Sequence, residues 1–479
     1  MPSYAPATPA FQFQHTLAPF LQAAGLPLAD VLTAADLAQA CANDNVCFGQ
    51  TSRSLWTPAL TLWAWLGQVL GADQSCRQAV ARVVVALALS SEPDDLDTGA
   101  YCRARAKLPA PLLQRLADDV GQQLEAAAPA AWRWHDRRVL LVDGSTSTLP
   151  DTPENQAAFP QPATQKPGLG FPIIRWVVLL GLATAALQGL TYGPYQGKET
   201  GETALFRQLL DRLQTGDVVV ADRYYCSYFL VALLRGLGVD VVFRLHQRRH
   251  YDFRRGRRLG AGDHVVAWQR PERPAWMTAE EYATIPLTLT VREMRVQVQA
   301  PGCRVRELIL ATTLLADEDY SQDAIAELYQ QRWQVELDIR SLKTTLRMDQ
   351  LRCQTPFMVA KEIGIHCLGY NLVRKVVAQA ALLAETSPRL LSFKAALQVV
   401  RGGWQKLTET TGADYVCLAK ALLRSLRRQR VGQRPGRCEP RAVKRRPKPH
   451  KQLQEPRAAA QARLLQGKPG KKKTKAART

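Results

Sequence analysis

Residues 137–150, RRVLLVDGSTSTLP, decide the fold class. Four consecutive apolar residues run into Asp143, and Gly, Ser and Thr follow, the pattern of a short buried strand ending in an acid. A charge placed directly after buried strand residues has to be hydrogen-bonded, ion-paired or metal-bound. Upstream the chain reads differently. Residues 15 to about 125 carry helical apolar spacing, strongest in PALTLWAWLGQVL (58–70) and CRQAVARVVVALAL (76–89), with no strand pattern. Downstream, PIIRWVVLLGLAT (172–184) and LQGLTYGPY (187–195) are further strand-like runs, and GETALFRQLLDRL (201–213) is an amphipathic helix. DVVVADRYY (217–225) repeats the opening pattern as a buried strand ending in Asp222, before a helix at YFLVALLRGLG (228–238) and a strand at DVVFRLHQ (240–247). Three strands, a helix, a strand, a helix and a strand describe an α/β core rather than a bundle.

From Arg248 to about Arg306 the sequence turns polar, basic and proline-containing, with alternating segments such as PLTLTVREMRVQVQ (286–299), which predicts a β-rich insertion. RELILATTL (306–314) resumes the core, and a long helix is expected from about Ser321, its N-cap. Helical segments follow from about Pro356 to Leu426. Within ELYQQRWQVELDIRSLK (327–343), a helix turning about 100° per residue brings Tyr329, Arg332, Glu336 and Lys343 within an arc of roughly 60°. That face has two readings: a solvated helix with i,i+4 charge pairs, or a site for an anionic, metal-bearing ligand. Asp338 points to the opposite side.

The 479 residues suffice for two or three domains. Of the formal net charge of +21, most lies from Arg424 onward, where twenty Lys and Arg face two acids, so the body is only slightly basic. A tail so charged and so poor in apolar residues cannot bury enough surface to fold alone, and it suits non-specific contact with a polyanion. TGAYCRARAKLP (98–109) sets Arg103, Arg105 and Lys107 in a second basic stretch, either a DNA-contacting helix or a solvated surface. The ten cysteines form no C-x-x-C pair and no zinc-type cluster, as expected of reduced thiols in a cytosolic protein. The N-terminal stretch lacks a signal-peptide pattern and the apolar run at 176–190 is too short to span a bilayer, so a soluble protein is expected.

Acids at the ends of adjacent strands can share a crevice, and Glu336 could join Asp143 and Asp222 in a three-carboxylate site. Hard oxygen ligands of this kind suit Mg²⁺ or Mn²⁺, and two such ions can assist an in-line phosphoryl transfer. With these residues the chain resembles the bacterial DDE transposases of cut-and-paste insertion sequences, in particular the insertion-sequence-four group. That group carries a tyrosine, an arginine, the catalytic glutamate and a lysine separated by two, three and six residues, a spacing that Tyr329, Arg332, Glu336 and Lys343 reproduce. DGST at Asp143, VVADRYY at Asp222, TLWAWLGQVL and TGAYCRARAKL also resemble the family's blocks, so the likeness spans roughly residues 50 to 400.

The resemblance implies an α/β, RNase H-like catalytic domain over residues 131–350, with the β-rich insertion at about 248–306. Around it are expected a helical N-terminal DNA-binding domain at 1–130, a C-terminal helical region at 351–426 and a disordered basic tail at 427–479. It also implies a DNA transposase whose catalytic Asp143, Asp222 and Glu336 hold two Mg²⁺ (or Mn²⁺) ions, nicking the element's end, passing through a hairpin and joining the freed end to a target. Tyr329, Arg332 and Lys343 would grip phosphates near the cleaved end, with Arg223, Tyr224, Arg103, Arg105 and Lys107 as further DNA contacts. The implied partners are double-stranded DNA with terminal inverted repeats, target DNA and a second copy in a homodimeric synaptic complex, with no membrane, in the cytoplasm at the nucleoid. One departure stands out. A family relative stacks a flipped base on a tryptophan in the strand before the glutamate helix, and RELILATTL has none; Trp268 or Trp276 in the insertion would have to substitute. Two other functions fit the same residues: an RNase H-like nuclease that cuts without joining, and a DNA-binding protein that has lost catalysis.

Overall fold

In a computed structural model of the chain, residues 11–50, 54–87, 97–297, 307–432 and 453–466 are described. Among them, six helices precede the first strand: α1 (Phe13–Leu17), α2 (Ala34–Asn43), α3 (Pro58–Leu70), α4 (Cys76–Leu87), α5 (Thr98–Lys107) and α6 (Ala110–Ala126). Local chemistry sets their starts. Thr33 and Asp36 cap α2 reciprocally, and Thr57 caps α3, whose next residue is the N1 proline Pro58. Helix α3 is apolar almost all round because it is buried almost all round.

The middle of the chain builds one nine-stranded sheet. Its elements are β1 (Val139–Thr148), α7 (Pro153–Ala158), β2 (Ile173–Gly181), β3 (Leu187–Pro194), α8 (Glu202–Arg207), β4 (Val218–Ala221), α9 (Tyr228–Gly236) and β5 (Asp240–Arg244). There follow β6 (Arg257–Gly260), β7 (Asp263–Gln269), α10 (Ala279–Thr284), β8 (Thr288–Gln297) and β9 (Glu307–Thr312). The strand order is β3-β2-β1-β4-β5-β9-β8-β7-β6. β1, β2 and β3 form an antiparallel meander, β4 pairs parallel with β1 and with β5, and β9 pairs antiparallel with β5. The strands of the 248–306 segment extend this same sheet, β8 pairing with β9 and β7 with β8.

Alternate residues serve opposite faces. Leu140, Val142, Val177 and Val219 pack with Leu205 and Phe206 of α8 and Phe229 and Leu230 of α9, whereas Val139, Leu141, Val178 and Val220 pack into the larger core shared with the N- and C-terminal helices. A sheet covered on both faces explains why its strands are continuous apolar runs. After β9 come α11 (Gln322–Gln330), α12 (Trp333–Arg340), α13 (Pro356–Leu383), α14 (Phe393–Glu409), α15 (Gly412–Leu426) and α16 (Arg457–Leu465). Helix α13 is buried along most of its length. Its Asn371 amide donates to the carbonyls of Ala117 and Leu187 and accepts the Leu187 N–H, tying α6 to β3. No described helix is long and apolar enough to cross a membrane. Most of the expected basic tail, residues 433–452 and 467–479, lies outside the described residues.

Two local expectations need correcting. β1 does not end at Asp143 but continues to Thr148, because β2 pairs with it throughout, Asp143 facing Val178 and Thr148 facing Ile173. The long helix expected from Ser321 is also broken. α11 stops at Gln330, α12 begins at Trp333, and a single π turn over Ser341–Thr345 follows, so one uniform helical wheel does not describe this segment.

Candidate active site

The parallel pairing of β1 with β4 joins Val139 to Val218 and Leu141 to Val220. Continuing that register by two residues sets Asp143 level with Asp222, the first residue after β4. Each acid has a local anchor. Asp143 Oδ1 accepts the Gly144 N–H at 2.8 Å, and Asp222 Oδ1 accepts the Tyr224 N–H at 2.7 Å, closing the turn that leaves the strand. Burial pushes the Asp143 carboxyl up to about 6, against the pull of the Gly144 N–H and of Arg332, and the nearby Glu202 and Asp222 push the same way.

Helix α12 is laid against β1 by contacts at both ends. The Arg332 guanidinium donates to Glu336 Oε1 at 3.1 Å and lies 3.9 Å from Asp143 Oδ2. Lys343, in the π turn, donates to Ser145 Oγ at 3.0 Å. Beyond the turn, the Ser147 hydroxyl donates to the Met348 carbonyl, the Thr148 N–H to Asp349 and the Leu351 N–H to Thr148, so the chain leaving α12 runs beside β1. Burial acts to lower the Arg332 pKa, but the surrounding Tyr329, Glu336 and Asp143 outweigh it and hold the guanidinium above its ordinary value. Tyr329, buried at the end of α11, is pushed up to about 12 by burial, with Arg332 and Arg244 opposing.

The structure thus brings Tyr329, Arg332, Glu336 and Lys343 to the Asp143 end of the sheet, but not as four side chains on one regular helix. Nor do Asp143, Asp222 and Glu336 meet at one point. Among the described residues no three acidic, histidine or cysteine side chains are grouped closely enough to hold one ion together. Instead the Arg332 guanidinium stands between Asp143 and Glu336. Arg223 and Tyr224 flank Asp222 on the surface, Tyr224 being 65% exposed.

The basic stretch on α5 divides. Arg103 and Lys107 are exposed, but Arg105, expected as a DNA contact, is buried. It donates to Gln68 Oε1 at 3.1 Å and lies over the Trp65 and Tyr101 rings, so its charge is used inside the helical region. Trp268 is buried too, donating to Glu293 Oε1 at 2.8 Å with Arg249 over its ring. Trp276 lines a cleft of about 590 Å³ beside Asp222, with Arg207, Tyr224, His246, Arg248 and Arg249, and the Arg207 guanidinium lies 3.7 Å from its ring centre. A larger cavity of about 650 Å³, walled chiefly by Trp63, Leu70, Val85 and Trp404, lies among the helices away from these acids.

Sequence reasoning missed Glu202 and Tyr225. Glu202 opens α8, and its carboxylate fills the space that a Cβ on Gly144 would take. Burial, with Asp222 beside it, raises this carboxyl's pKa, and Arg175 opposes. The signal was the glycine directly after Asp143, since a strand glycine often marks a close approach.

Residues 134–372 match the family described as Transposase DDE domain. The chain is 27% identical over 394 residues to the transposase InsG for insertion sequence element IS4 of Escherichia coli (strain K12), covering 81% of this chain and 85% of that one. This protein belongs to the DDE transposases of the insertion-sequence-four family. A shorter match, 31% identical over 80 residues, is to the transposase for insertion sequence element IS421 of Escherichia coli, covering 17% of this chain and 22% of the relative. Among solved structures, the transposase is similar to the piggyBac transposase synaptic complex with hairpin DNA, at 11% identity and a TM-score of 0.41, covering 88% of this chain and 86% of that chain.

Proposed function

We propose that this transposase binds the terminal inverted repeats of its own element, cuts there in a divalent-metal-dependent reaction and joins the freed ends to target DNA. The observation that carries the reading is the Arg332 guanidinium set between Asp143, on the central strand β1, and Glu336 on α12, with Asp222 level with Asp143 at the end of the neighbouring strand β4. The meander of β1, β2 and β3 followed by parallel β4 and β5 supports an RNase H-like core for residues 131–350.

The donor set fits hard divalent cations. Burial, with neighbouring carboxylates adding to it, raises the pKa of Asp143 and of Glu202, and oxygen-only ligands suit Mg²⁺ or Mn²⁺. Asp143, Asp222 and Glu336 would hold two such ions, which when bound supply charge neutralisation at the attacked phosphate. The remaining work falls to the chain itself. Arg332, pointing at two carboxylates, has the fork geometry to take a phosphate in their place. Lys343 offers a point charge beside β1, and Tyr329 lies close enough to Arg332 to interact with its charge. Arg223, Tyr224 and the cationic, aromatic cleft beside Asp222 suit a strand displaced at the cleavage point, which supports the hairpin route with Trp276 rather than Trp268 as the available ring. Arg103 and Lys107 on the N-terminal helices and the basic C-terminal residues suit flanking duplex. Two copies in a homodimeric complex at the nucleoid would hold the two ends.

The test is a strand-transfer assay with DNA carrying the element's terminal repeats, a target plasmid and Mg²⁺. Joined products are expected. Cut but unjoined ends would favour the nuclease reading, and binding without cutting the inactive one.

A further inference from the structure

Two thiols that stand 26 residues apart in the chain meet where α4 and α5 pack together. Cys76 opens α4 and Cys102 lies midway along α5. Their sulfurs are 3.8 Å apart, Cys102 donating to Cys76, and both side chains are partly exposed. That separation is van der Waals contact. A disulfide needs about 2.05 Å between its sulfurs, and with the two helices already packed the closure asks mainly for side-chain rotation.

The surroundings give the two sulfurs different roles. Gln68 donates from Nε2 to Cys76 Sγ at 3.6 Å, and its Oε1 accepts the Arg105 guanidinium at 3.1 Å and the Tyr101 hydroxyl at 2.7 Å. A buried guanidinium therefore stands one side chain away from Cys76, and Arg352 acts on the same sulfur. The hydrogen bond from Cys102, with Arg105, Gln68 and Arg352, lowers the Cys76 thiol to about 6 against the effect of burial. The same contact with Cys76, and then burial, raises Cys102 and keeps it protonated. Cys353, a third thiol facing Arg105, is buried, and burial with Glu362 beside it raises its pKa as well. One thiolate thus touches one protonated thiol, the arrangement of a nucleophile and its resolving partner.

We propose that Cys76 and Cys102 are a peroxide-reactive pair that closes reversibly into a disulfide between α4 and α5. The Cys76 thiolate attacks one oxygen of a hydroperoxide, so that an S–O bond forms, the O–O bond breaks and hydroxide (or alkoxide) leaves to take a proton from solvent. The Cys102 sulfur then attacks the Cys76 sulfur. The S–S bond forms, the S–O bond breaks, and the hydroxyl group departs with the Cys102 proton as water. The two thiols have given up two electrons and the peroxide has taken them. A dithiol reverses the link by exchange. Disulfides that form inside cells are mostly transient and redox-sensing. Neither step uses Asp143, Asp222 or Glu336, so the inference stands apart from the proposed function.

The test exposes the full-length, reduced protein to hydrogen peroxide near neutral pH, quenches it at intervals with iodoacetamide and follows intact mass and peptide maps. The parent is expected to lose about 2 Da, the two thiol hydrogens, with Cys76 and Cys102 in one cross-linked peptide pair that dithiothreitol separates. Cys76 should be consumed about 10-fold faster than the exposed Cys47 and Cys417. Cys102→Ser should stop at a Cys76 sulfenic acid that dimedone captures, and Cys76→Ser should leave Cys102 unreacted over the same interval. Consumption of Cys76 no faster than that of Cys47, or its oxidation in the parent without a link to Cys102, overturns the proposal. So does a Cys102 that reacts equally fast in Cys76→Ser. Should either variant not fold, the parent's rates and peptide map decide alone.

Discussion

Helix α12 carries two acids two residues apart, and the protein treats them oppositely. Asp338, on the inner face, is buried to 3% exposure between two guanidinia, Arg374 at 2.6 Å and Arg389 at 2.5 Å. Glu336, on the outer face, is 41% exposed and shares the one guanidinium of Arg332 with Asp143. The inner acid is oversupplied with cations and the outer cluster undersupplied. A charge that holds a fold together is matched inside the fold, whereas a charge meant for a ligand is left short.

That contrast can be broken from either side. Glu336→Gln should lower end cleavage by about 10³-fold or more while changing unfolding free energy by less than about 0.5 kcal/mol. Cleavage assays and urea titration read the two quantities. Asp338→Ala should do the reverse, destabilising by about 3–5 kcal/mol because Arg374 and Arg389 are left buried and unpaired. If that variant melts like the parent, the clamp on α12 has been misjudged.

The scaffold side also contains buried cations held by a carbonyl rather than a carboxylate, Lys361 on Ala106 and Lys375 on Val31. Lys375, next to Arg374, is buried with its ammonium on the Val31 carbonyl, and burial lowers its pKa to about 7. Its unfolded pKa stays near 10.5. Between these values the unfolded chain binds more protons, so this residue makes stability rise with pH from about 7 to 10.5, and below 7 its full cost is present. Lys375→Met should therefore stabilise by about 1–3 kcal/mol at pH 6, with the gain shrinking as pH approaches 10. Denaturation at several pH values checks the sign.

The smallest effect is expected on α5. Arg103→Ala should reduce the slope of DNA affinity against salt by about one phosphate contact without altering stability. Arg105→Ala should lower stability and leave that slope unchanged once folded protein is compared.

How much of this was visible in the sequence depends on the range of the interaction. The strands were legible because four-residue apolar runs are a local signal, and Asp143 and Asp222 stood out for the same reason. The ion pair of Arg332 with Glu336 followed from i,i+4 spacing. The true end of β1 was not legible, since it is set by pairing with β2 across the sheet. The break at Gln331 and the π turn, which let Lys343 reach Ser145, left no mark in apolar periodicity. Arg105 looked like its exposed neighbours because nothing nearby in sequence reveals Gln68 or Trp65 packed over it. Glu202 was hidden for the same reason, its partner Gly144 lying on another element.

The central claim is that the undersupplied cluster is the seat of cutting. Single-turnover cleavage of a duplex carrying one element end, in Mg²⁺ and in Mn²⁺, tests it most directly when parent and Asp222→Asn are compared at equal DNA occupancy. The account predicts free 3′ hydroxyls at the repeat boundary with the parent in either metal and none with Asp222→Asn, although both bind the end. Equal cleavage by the two proteins would contradict it.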